Sequence, residues 1–393
     1  MKNPILKPKI QDFINQNIGV SLSQLAFQKN PFVEVEWMEV LKQIEAKTKA
    51  KDKLPHWFQT NNIIYPTKIS IEQTSSEKTA EYKSSLISGE TLIDLTGGFG
   101  IDDYYFAKKI KKVVHCEINS ELSSIVKHNL SQLKASNIHC YEGDSVQTLQ
   151  QLNQKWDWIY IDPSRRNDAK GKVFMLQDCL PNVPENLPFY FNYSDKILIK
   201  TAPLLDLSSG LSELNNVKII HIIALENDVK ELLWEIHKGY QGDVTIKTVN
   251  ITKDKIEKFD FILGESQELA PFGIPKKYLY EPNSAIMKSG GFEEVGIQFN
   301  LDKFHKHSHL YTSDVLIDFP GRIFEIEKVI PYHKTEMKAL LEKQKANITT
   351  RNFPETVENI RKKWKIKDGG NTYCFFTTLE KNDKIVLICN KIQ

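Results

Sequence analysis

The sequence predicts an α/β protein built on a parallel sheet, and three features carry that prediction. From Thr91 to about Ile251, short β-prone apolar runs alternate with helical patterns, which places helices on both faces of a sheet. The first run, Thr91-Leu-Ile-Asp-Leu95, leads at once into Gly97, Gly98 and Gly100. Tyr104, Tyr105, Ala107, Lys108 and Ile110 then follow at helical spacing. Strand, glycine turn and helix together let a ligand approach the backbone without interference from Cβ atoms, beyond the carboxyl ends of the strands. The third feature is length: 393 residues exceed what one core usually organises, so two or three domains are expected.

Composition sets the outer limits. An apolar fraction of 40% and a charged fraction of 26% describe a soluble protein. No run of about 18 apolar residues suggests a membrane span, and Met-Lys-Asn-Pro-Ile-Leu-Lys-Pro lacks a signal-peptide core. Cys116, Cys140, Cys179, Cys374 and Cys389 are scattered without a C-x-x-C pair, so neither a disulfide framework nor a zinc knuckle is expected. A reducing cytoplasm fits. The net charge of +2 is unevenly spread, because residues 321–393 hold 15 Lys and Arg against 9 Asp and Glu. A basic terminal module is compatible with nucleic-acid binding, and with a solvated lysine-rich surface.

Taken in order, residues 1–70 read as a helical module, with Val33, Trp37, Val40, Leu41 and Ile44 on one apolar face. Thr74 and Glu77 have capping-box spacing, so a helix is expected from about Ser75. Seven strands are expected between 71 and 251: Leu92–Thr96, Lys112–Glu117, Ile138–Glu142, Trp158–Asp162, Ile197–Thr201, Val217–Leu225 and Val244–Asn250. Residues 252–320 suit a small α+β module, with strand-like runs at Phe259–Leu263 and Val315–Phe319. From 321 to 393 the pattern is a strand at Ile323–Val329, helices at 334–344 and 355–364, and a final hairpin of Tyr373–Thr378 with Lys384–Cys389.

The glycine turn narrows the ligand. Asp103 stands where a dinucleotide fingerprint needs its third glycine, and no Gly-Lys-Ser/Thr ends the loop. Asp94-x-x-Gly-Gly-x-Gly resembles motif I of the class I S-adenosylmethionine (SAM) methyltransferases, where the acid answers the methionine ammonium. Asp94, Thr96, Gly97, Gly98 and Gly100 are therefore candidate cofactor-binding residues. Glu117 ends the second strand 23 residues after Asp94, where an acid can accept ribose hydroxyls, and Asp144 ends the third, in reach of an adenine amino group. The upstream helix lies where those enzymes often place a loop over the methionine end, and its N-terminal amides would suit a carboxylate; plain helix capping is the alternative reading.

The fourth strand runs into Asp162-Pro163-Ser164-Arg165-Arg166. Amino-group methyltransferases carry Asp/Asn-Pro-Pro-aromatic here, the carboxylate and first Pro carbonyl holding an exocyclic amine. Asp162 and Pro163 are the candidate catalytic residues on that likeness. Ser164 and Arg165 depart from the pattern; an arginine plane can stack on a base or grip phosphate, so Arg165 and Arg166 are candidate substrate contacts. Arg361, Lys362, Lys363 and Lys365 form a basic helix, a second candidate substrate surface. His305, His307 and His309 would share one face of a strand, but no nearby Cys or carboxylate completes a metal site, so no metal is expected. Gly369-Gly370 reads as a helix C-cap and turn.

As a whole the chain resembles class I SAM-dependent methyltransferases with a THUMP-like C-terminal domain, whose proposed activity is RNA methylation. The resemblance rests on Ile64-Tyr-Pro, Glu72-Gln-Thr-Ser-Ser-Glu, the Asp94 and Asp162 motifs, Tyr280-Glu-Pro-Asn-Ser-Ala-Ile, His309-Leu-Tyr-Thr-Ser, Asp318-Phe-Pro-Gly-Arg, and Asn352-Phe-Pro through Lys367-Asp-Gly-Gly-Asn-Thr-Tyr. It implies a Rossmann-like domain at 71–251, a ferredoxin-like module at 252–320 and a THUMP-like domain at 321–393, with SAM as cofactor. It also implies RNA as partner, since THUMP domains proper bind RNA. The expected activity is methylation of a base nitrogen of rRNA or tRNA. A protein or small-molecule methyltransferase and a non-catalytic, SAM-responsive RNA-binding protein are the alternatives.

Overall fold

The computed structural model describes residues 3–165, 175–265 and 268–392. The chain divides into two units, Met1–Val217 with Leu233–Gln241, and Lys218–Leu232 with Gly242–Gln393. The α/β class is as predicted.

In the first unit five parallel strands form the body: β1 (Thr91–Asp94), β2 (Lys112–Glu117), β3 (Ile138–Glu142), β4 (Trp158–Ile161) and β5 (Lys196–Thr201), in the order β5-β4-β1-β2-β3. Ile93, Val113, Val114, Ile159, Ile161, Ile197 and Ile199 are wholly buried. This explains why the strands read as apolar runs rather than alternations: helices cover both faces. The order brings the ends of β1, β4 and β5 together, and the candidate site lies there.

The helical module differs from expectation at its edge. Helix α1 (Trp37–Lys53) buries Val40, Leu41 and Ile44 against Ile5, Ile10, Ile14 and Leu25. Val33 is fully exposed, because the chain bends at 33–35 and the helical period starts only at Trp37. The cap also moves. Helix α2 (Glu77–Leu86) is capped by Ser76, whose hydroxyl accepts from Thr79 N. Thr74 is already the C-cap of Lys68–Gln73, so it cannot serve α2. Glu77 instead accepts from His56 N at 2.7 Å and from the Tyr105 hydroxyl at 3.0 Å.

The strand Val217–Leu225, in the second unit from Lys218 on, pairs in parallel with Thr245–Ile251, which pairs antiparallel with Ile256–Ile262. Asp228–His237 is a further strand that the sequence reading missed, with Leu233–His237 in the first unit. There Trp234 fills the space above Gly210 and donates to Thr201 Oγ1 at 2.9 Å. A seven-stranded sheet follows, ordered 302–303, 311–313, 278–282, 321–331, 384–391, 372–378, 347–351. Its two faces bury Leu279, Phe304, Phe324 and Phe375 on one side, and Met337, Ile360, Trp364 and Phe376 on the other.

Two local expectations change here. His305, His307 and His309 lie beyond the strand Asp302–Lys303, not on it, and His309 stacks on Phe292 with ring centroids 3.6 Å apart. Helix Val357–Trp364 is capped by Lys365 at φ +54, so Gly369-Gly370 serve only the turn before Thr372–Thr378. Among the described residues no helix is long and apolar enough to cross a membrane.

Candidate active site at the carboxyl ends of the strands

The glycine turn between β1 and helix α3 (Ile101–Phe106) is held from below. Asp94 is 2% exposed, and its Oδ1 accepts from Thr96 N at 2.7 Å and from the Thr96 hydroxyl at 3.1 Å. The same hydroxyl accepts from Asp162 N at 2.6 Å. Thr96 therefore ties the glycine turn to the Asp162 loop. Asp94 is thereby placed behind the turn, where it orders Thr96.

The glycines do different work. At Gly97 a Cβ would stand 2.1 Å from His115 Nδ1, so the imidazole occupies the space a side chain needs. Gly98 has φ +55, and a Cβ there would meet nothing closer than Thr96 O at 3.7 Å, so this side of the turn is open to a ligand. Gly98 N donates to Glu117 Oε2 at 3.0 Å, and Asn119 N donates to Oε1 at 2.8 Å. Glu117 thus orders the rim of the turn, and each of its oxygens keeps further accepting capacity. Beside it Ile118, unremarked in the sequence, is 75% exposed and offers an apolar surface. Gly100 caps α3.

Asp144 is exposed and caps helix α4 (Ser145–Leu152), accepting from Gln147 N at 2.9 Å. Pro163 follows Asp162 directly. Ser164–Arg165 pairs antiparallel with Cys179–Leu180, and Arg166 lies outside the described residues.

Sequence reasoning missed Lys200. Ile161 and Ile199 are register partners, so Asp162, just past β4, and Lys200, one residue before the end of β5, stand side by side. The Lys200 ammonium pairs with Asp162 Oδ2; the lysine side chain is 11% exposed and the aspartate 37%. A polar residue ending a run of Ile, Leu and Ile was the one available signal.

Beneath the turn lies a buried set of charges. Lys83 of α2, wholly buried, pairs with Asp102 Oδ1 at 3.0 Å, while Ser75 and Tyr160 hydroxyls donate to Asp102 Oδ2 at 2.9 and 2.8 Å. Burial works to raise the Asp102 carboxyl, but Lys83, Lys200 and these hydrogen bonds hold it below its usual range. Next to it Asp103 Oδ2 lies 2.6 Å from His115 Nδ1. Burial pushes both Asp94 and Asp103 well above the usual carboxylate range, aided by the charge of Asp103 at Asp94 and of Asp102 at Asp103, and burial lowers His115. A trough of about 530 Å³ along β3, lined by Lys127, Lys134, His139 and Tyr141 among others, shares no residue with this site.

The basic helix is partly neutralised. Arg361 pairs with Asp368 at 2.5 Å and Lys363 with Glu355 at 3.0 Å, whereas Lys362 and Lys365 are exposed. In the same unit one buried carboxylate, Glu281, holds both Arg322 and Arg351.

A ferredoxin-like domain family matches residues 278–320, and a THUMP domain-like family matches residues 321–391. No curated protein matches the chain. A solved structure described as "putative methyltransferase from Porphyromonas gingivalis W83" is 29% identical, covers 100% of this chain and 99% of its own, and superposes with a TM-score of 0.87. The M. capricolum TrmK structure with S-adenosylhomocysteine is 17% identical over 42% of this chain and 70% of its own, with a TM-score of 0.33. An rRNA methylase from Streptococcus thermophilus is 14% identical over 42% of this chain and 95% of its own, with a TM-score of 0.30. The chain thus carries ferredoxin-like and THUMP domain-like parts, and along its whole length it is similar to the Porphyromonas gingivalis protein.

Proposed function

We propose that this chain is a cytoplasmic SAM-dependent methyltransferase acting on RNA, at a base nitrogen of rRNA or tRNA. The observation that carries the reading is the Thr96 hydroxyl, which links the open glycine turn to the Asp162 loop. A cofactor bed and an acceptor site are thereby held as neighbours, as transfer between two bound partners requires. The whole-chain likeness to the Porphyromonas gingivalis protein supports methyl transfer, and the THUMP domain-like match supports RNA. We assign 71–251 to the methyl-transfer domain, 1–70 to a supporting helical module, and 252–320 and 321–393 to the two smaller parts.

The residues fit SAM. The open face of Gly98 admits a ligand, Glu117 can accept from ribose hydroxyls, Ile118 offers an apolar bed for a base, and Asp144 can reach an amino group. Asp94 acts through Thr96 and the turn. Bound SAM supplies an electrophilic methyl group. The chain's own work is positioning: Asp162, with the Pro163 carbonyl beside it as a second acceptor for an amino hydrogen, accepts a hydrogen bond from the acceptor nitrogen and can take its proton. Arg165, Arg166 and the exposed lysines of the basic helix would meet RNA.

The test is transfer of labelled methyl from SAM to total RNA from cells lacking the protein. Label in RNA that Asp162→Ala abolishes at saturating RNA is expected. SAM binding with no label in any RNA would reject the RNA reading.

A further inference from the structure

Asp162 is not alone at the acceptor site. Register between β4 and β5 brings Lys200 beside it, and the Lys200 ammonium pairs with Asp162 Oδ2. The lysine side chain is largely buried, so its charged head is delivered to one place, while the aspartate is the more exposed partner. Thr96 fixes the Asp162 backbone from the other side. The site therefore offers an incoming base an acceptor and a cationic donor next to each other, both on strand ends. A carboxylate alone would read differently.

We propose that Lys200 and Asp162 form a donor–acceptor pair that reads a lactam edge, N–H beside C=O, so that the methylated atom is a lactam ring nitrogen: N1 of guanine or N3 of uracil. The proposal rests on the RNA methyl-transfer reading above and deepens it. The lactam N–H donates to the Asp162 carboxylate, and its carbonyl oxygen accepts from the Lys200 ammonium.

Charge development decides between acceptors. A neutral lactam nitrogen is a poor nucleophile, because its lone pair is delocalised into the carbonyl. As Asp162 takes the N–H proton, negative charge grows on nitrogen and oxygen, where the ammonium stabilises it. The nitrogen pair then forms the N–C bond to the methyl carbon. The C–S bond breaks, and its electron pair stays on sulfur as a neutral thioether. Substrate, sulfonium and carboxylate sum to zero charge, as do methylated lactam, thioether and carboxylic acid, and Asp162 afterwards returns its proton to solvent. Lys200 remains an ammonium throughout.

An exocyclic amine of adenine or cytosine fits less well. Attack by that nitrogen builds positive charge on the base, and an adjacent ammonium opposes it. A ribose hydroxyl has no carbonyl beside it to receive the Lys200 donor. Lys200 is then a catalytic residue rather than a strut for Asp162, and this distinction can be measured.

The experiment has two arms. In the first, RNA from cells lacking the protein is methylated by the wild-type chain with labelled SAM, digested, and its nucleosides identified by mass spectrometry. Methyl on guanine N1 or uracil N3 is expected. Methyl on an exocyclic amine, a ribose hydroxyl or carbon overturns this proposal and leaves RNA methyl transfer standing; no label in RNA removes both. In the second, Lys200→Met and Lys200→Arg are compared with wild type for SAM affinity by calorimetry and for single-turnover rate against pH. Lys200→Met should keep SAM affinity within about threefold and lose about 100-fold in rate, the scale of one lost charge-stabilising donor. Its rate should rise at higher pH than in wild type, and Lys200→Arg should recover at least about tenfold of the loss. A Lys200→Met protein with the wild-type rate and pH profile overturns the proposal, and if it does not fold, the identity of the methylated atom decides.

Discussion

Replacing Lys83 tests whether the buried charges beneath the glycine turn hold this unit together. Lys83 is wholly buried and lies 3.0 Å from Asp102 Oδ1, whose other oxygen takes the Ser75 and Tyr160 hydroxyls. Lys83→Met keeps the length of the side chain but leaves the Asp102 carboxylate without its nearest cation. Breaking a buried pair from one side costs about 3–5 kcal/mol, because the remaining charge stays desolvated. Two hydroxyl donors and the field of Lys200 remain on Asp102, so the lower half of that range is expected. For a unit of this size that is a fall of roughly 10 °C in the midpoint of its unfolding transition. Replacing both partners by apolar residues, Lys83→Met with Asp102→Leu, should recover more than half of the loss, since the desolvated charge is then gone. The double-mutant cycle by calorimetry measures the coupling directly. A single variant that loses less than about 1 kcal/mol, or a double variant as unstable as the sum of both singles, would refute the reasoning. Acid should mimic the single variant: the Asp102 carboxyl is held below its ordinary 3.8, so its contribution is present above that pH and disappears as pH falls through the lowered value.

The remaining predictions concern the turn, the buried acids and the basic helix. Gly97→Ala should destabilise the fold by about 1–3 kcal/mol, because its Cβ would fall 2.1 Å from the His115 ring; unchanged thermal stability would contradict the packing. Gly98→Val should cost only the roughly 1–2 kcal/mol of placing a side chain at φ +55, yet abolish SAM binding in calorimetry. Glu117→Ala should weaken SAM by about 1–3 kcal/mol, and an unchanged dissociation constant would restrict Glu117 to holding Gly98 and Asn119. Asp94 and Asp103 are both raised, so the folded chain binds more protons than the unfolded chain above pH 3.8, and their contribution to stability falls as pH rises through the raised values. Asp103→Asn should shrink that slope by up to about 1.4 kcal/mol per pH unit, the value of one proton, and an identical melting-temperature profile would refute it. Replacing exposed Lys362 and Lys365 by Gln should flatten the salt dependence of RNA binding by about two units of log–log slope; identical binding at every salt concentration would remove this helix from the RNA surface.

What the sequence could show was the part written in neighbouring residues. The parallel strands β1 to β5 were legible because both their faces are buried, which leaves uninterrupted apolar runs such as Leu92-Ile93 and Ile197-Leu-Ile199. The glycine turn and its acids were legible because turn chemistry is local. The cap of α2 lies two residues from where capping-box spacing places it, for a local reason. Thr74 has the right spacing to Glu77, but a short helix upstream had already used it, and capping-box spacing says nothing about a preceding helix. Val33 continued the period of α1 in sequence while the chain there bends out of the helix. Asp228–His237 does not read as a strand in sequence because Asp228, Lys230, Glu231 and Glu235 interrupt its apolar pattern. Asp228 and Lys230 pair with each other at 2.5 Å, while Glu231 and Glu235 are carried into buried positions.

The partnerships beneath and beside the turn were invisible for a different reason. Lys83 and Asp102 are 19 residues apart, Asp103 and His115 are 12, and Asp162 and Lys200 are 38. None of these spacings is a motif, and each residue alone reads as an ordinary charged side chain. Only the strand order sets β1 and β5 on either side of β4, and only then do Thr96, Asp162 and Lys200 meet. Had β5 been placed elsewhere in the sheet, Asp162 would have kept its Thr96 bond and lost its cation. The chemistry proposed for the acceptor therefore depends on topology as much as on any residue in the Asp162 motif. The motif's departures at Ser164 and Arg165 leave the methylated atom open, and it is the register of β4 with β5, which sets Lys200 beside Asp162, that the lactam proposal rests on.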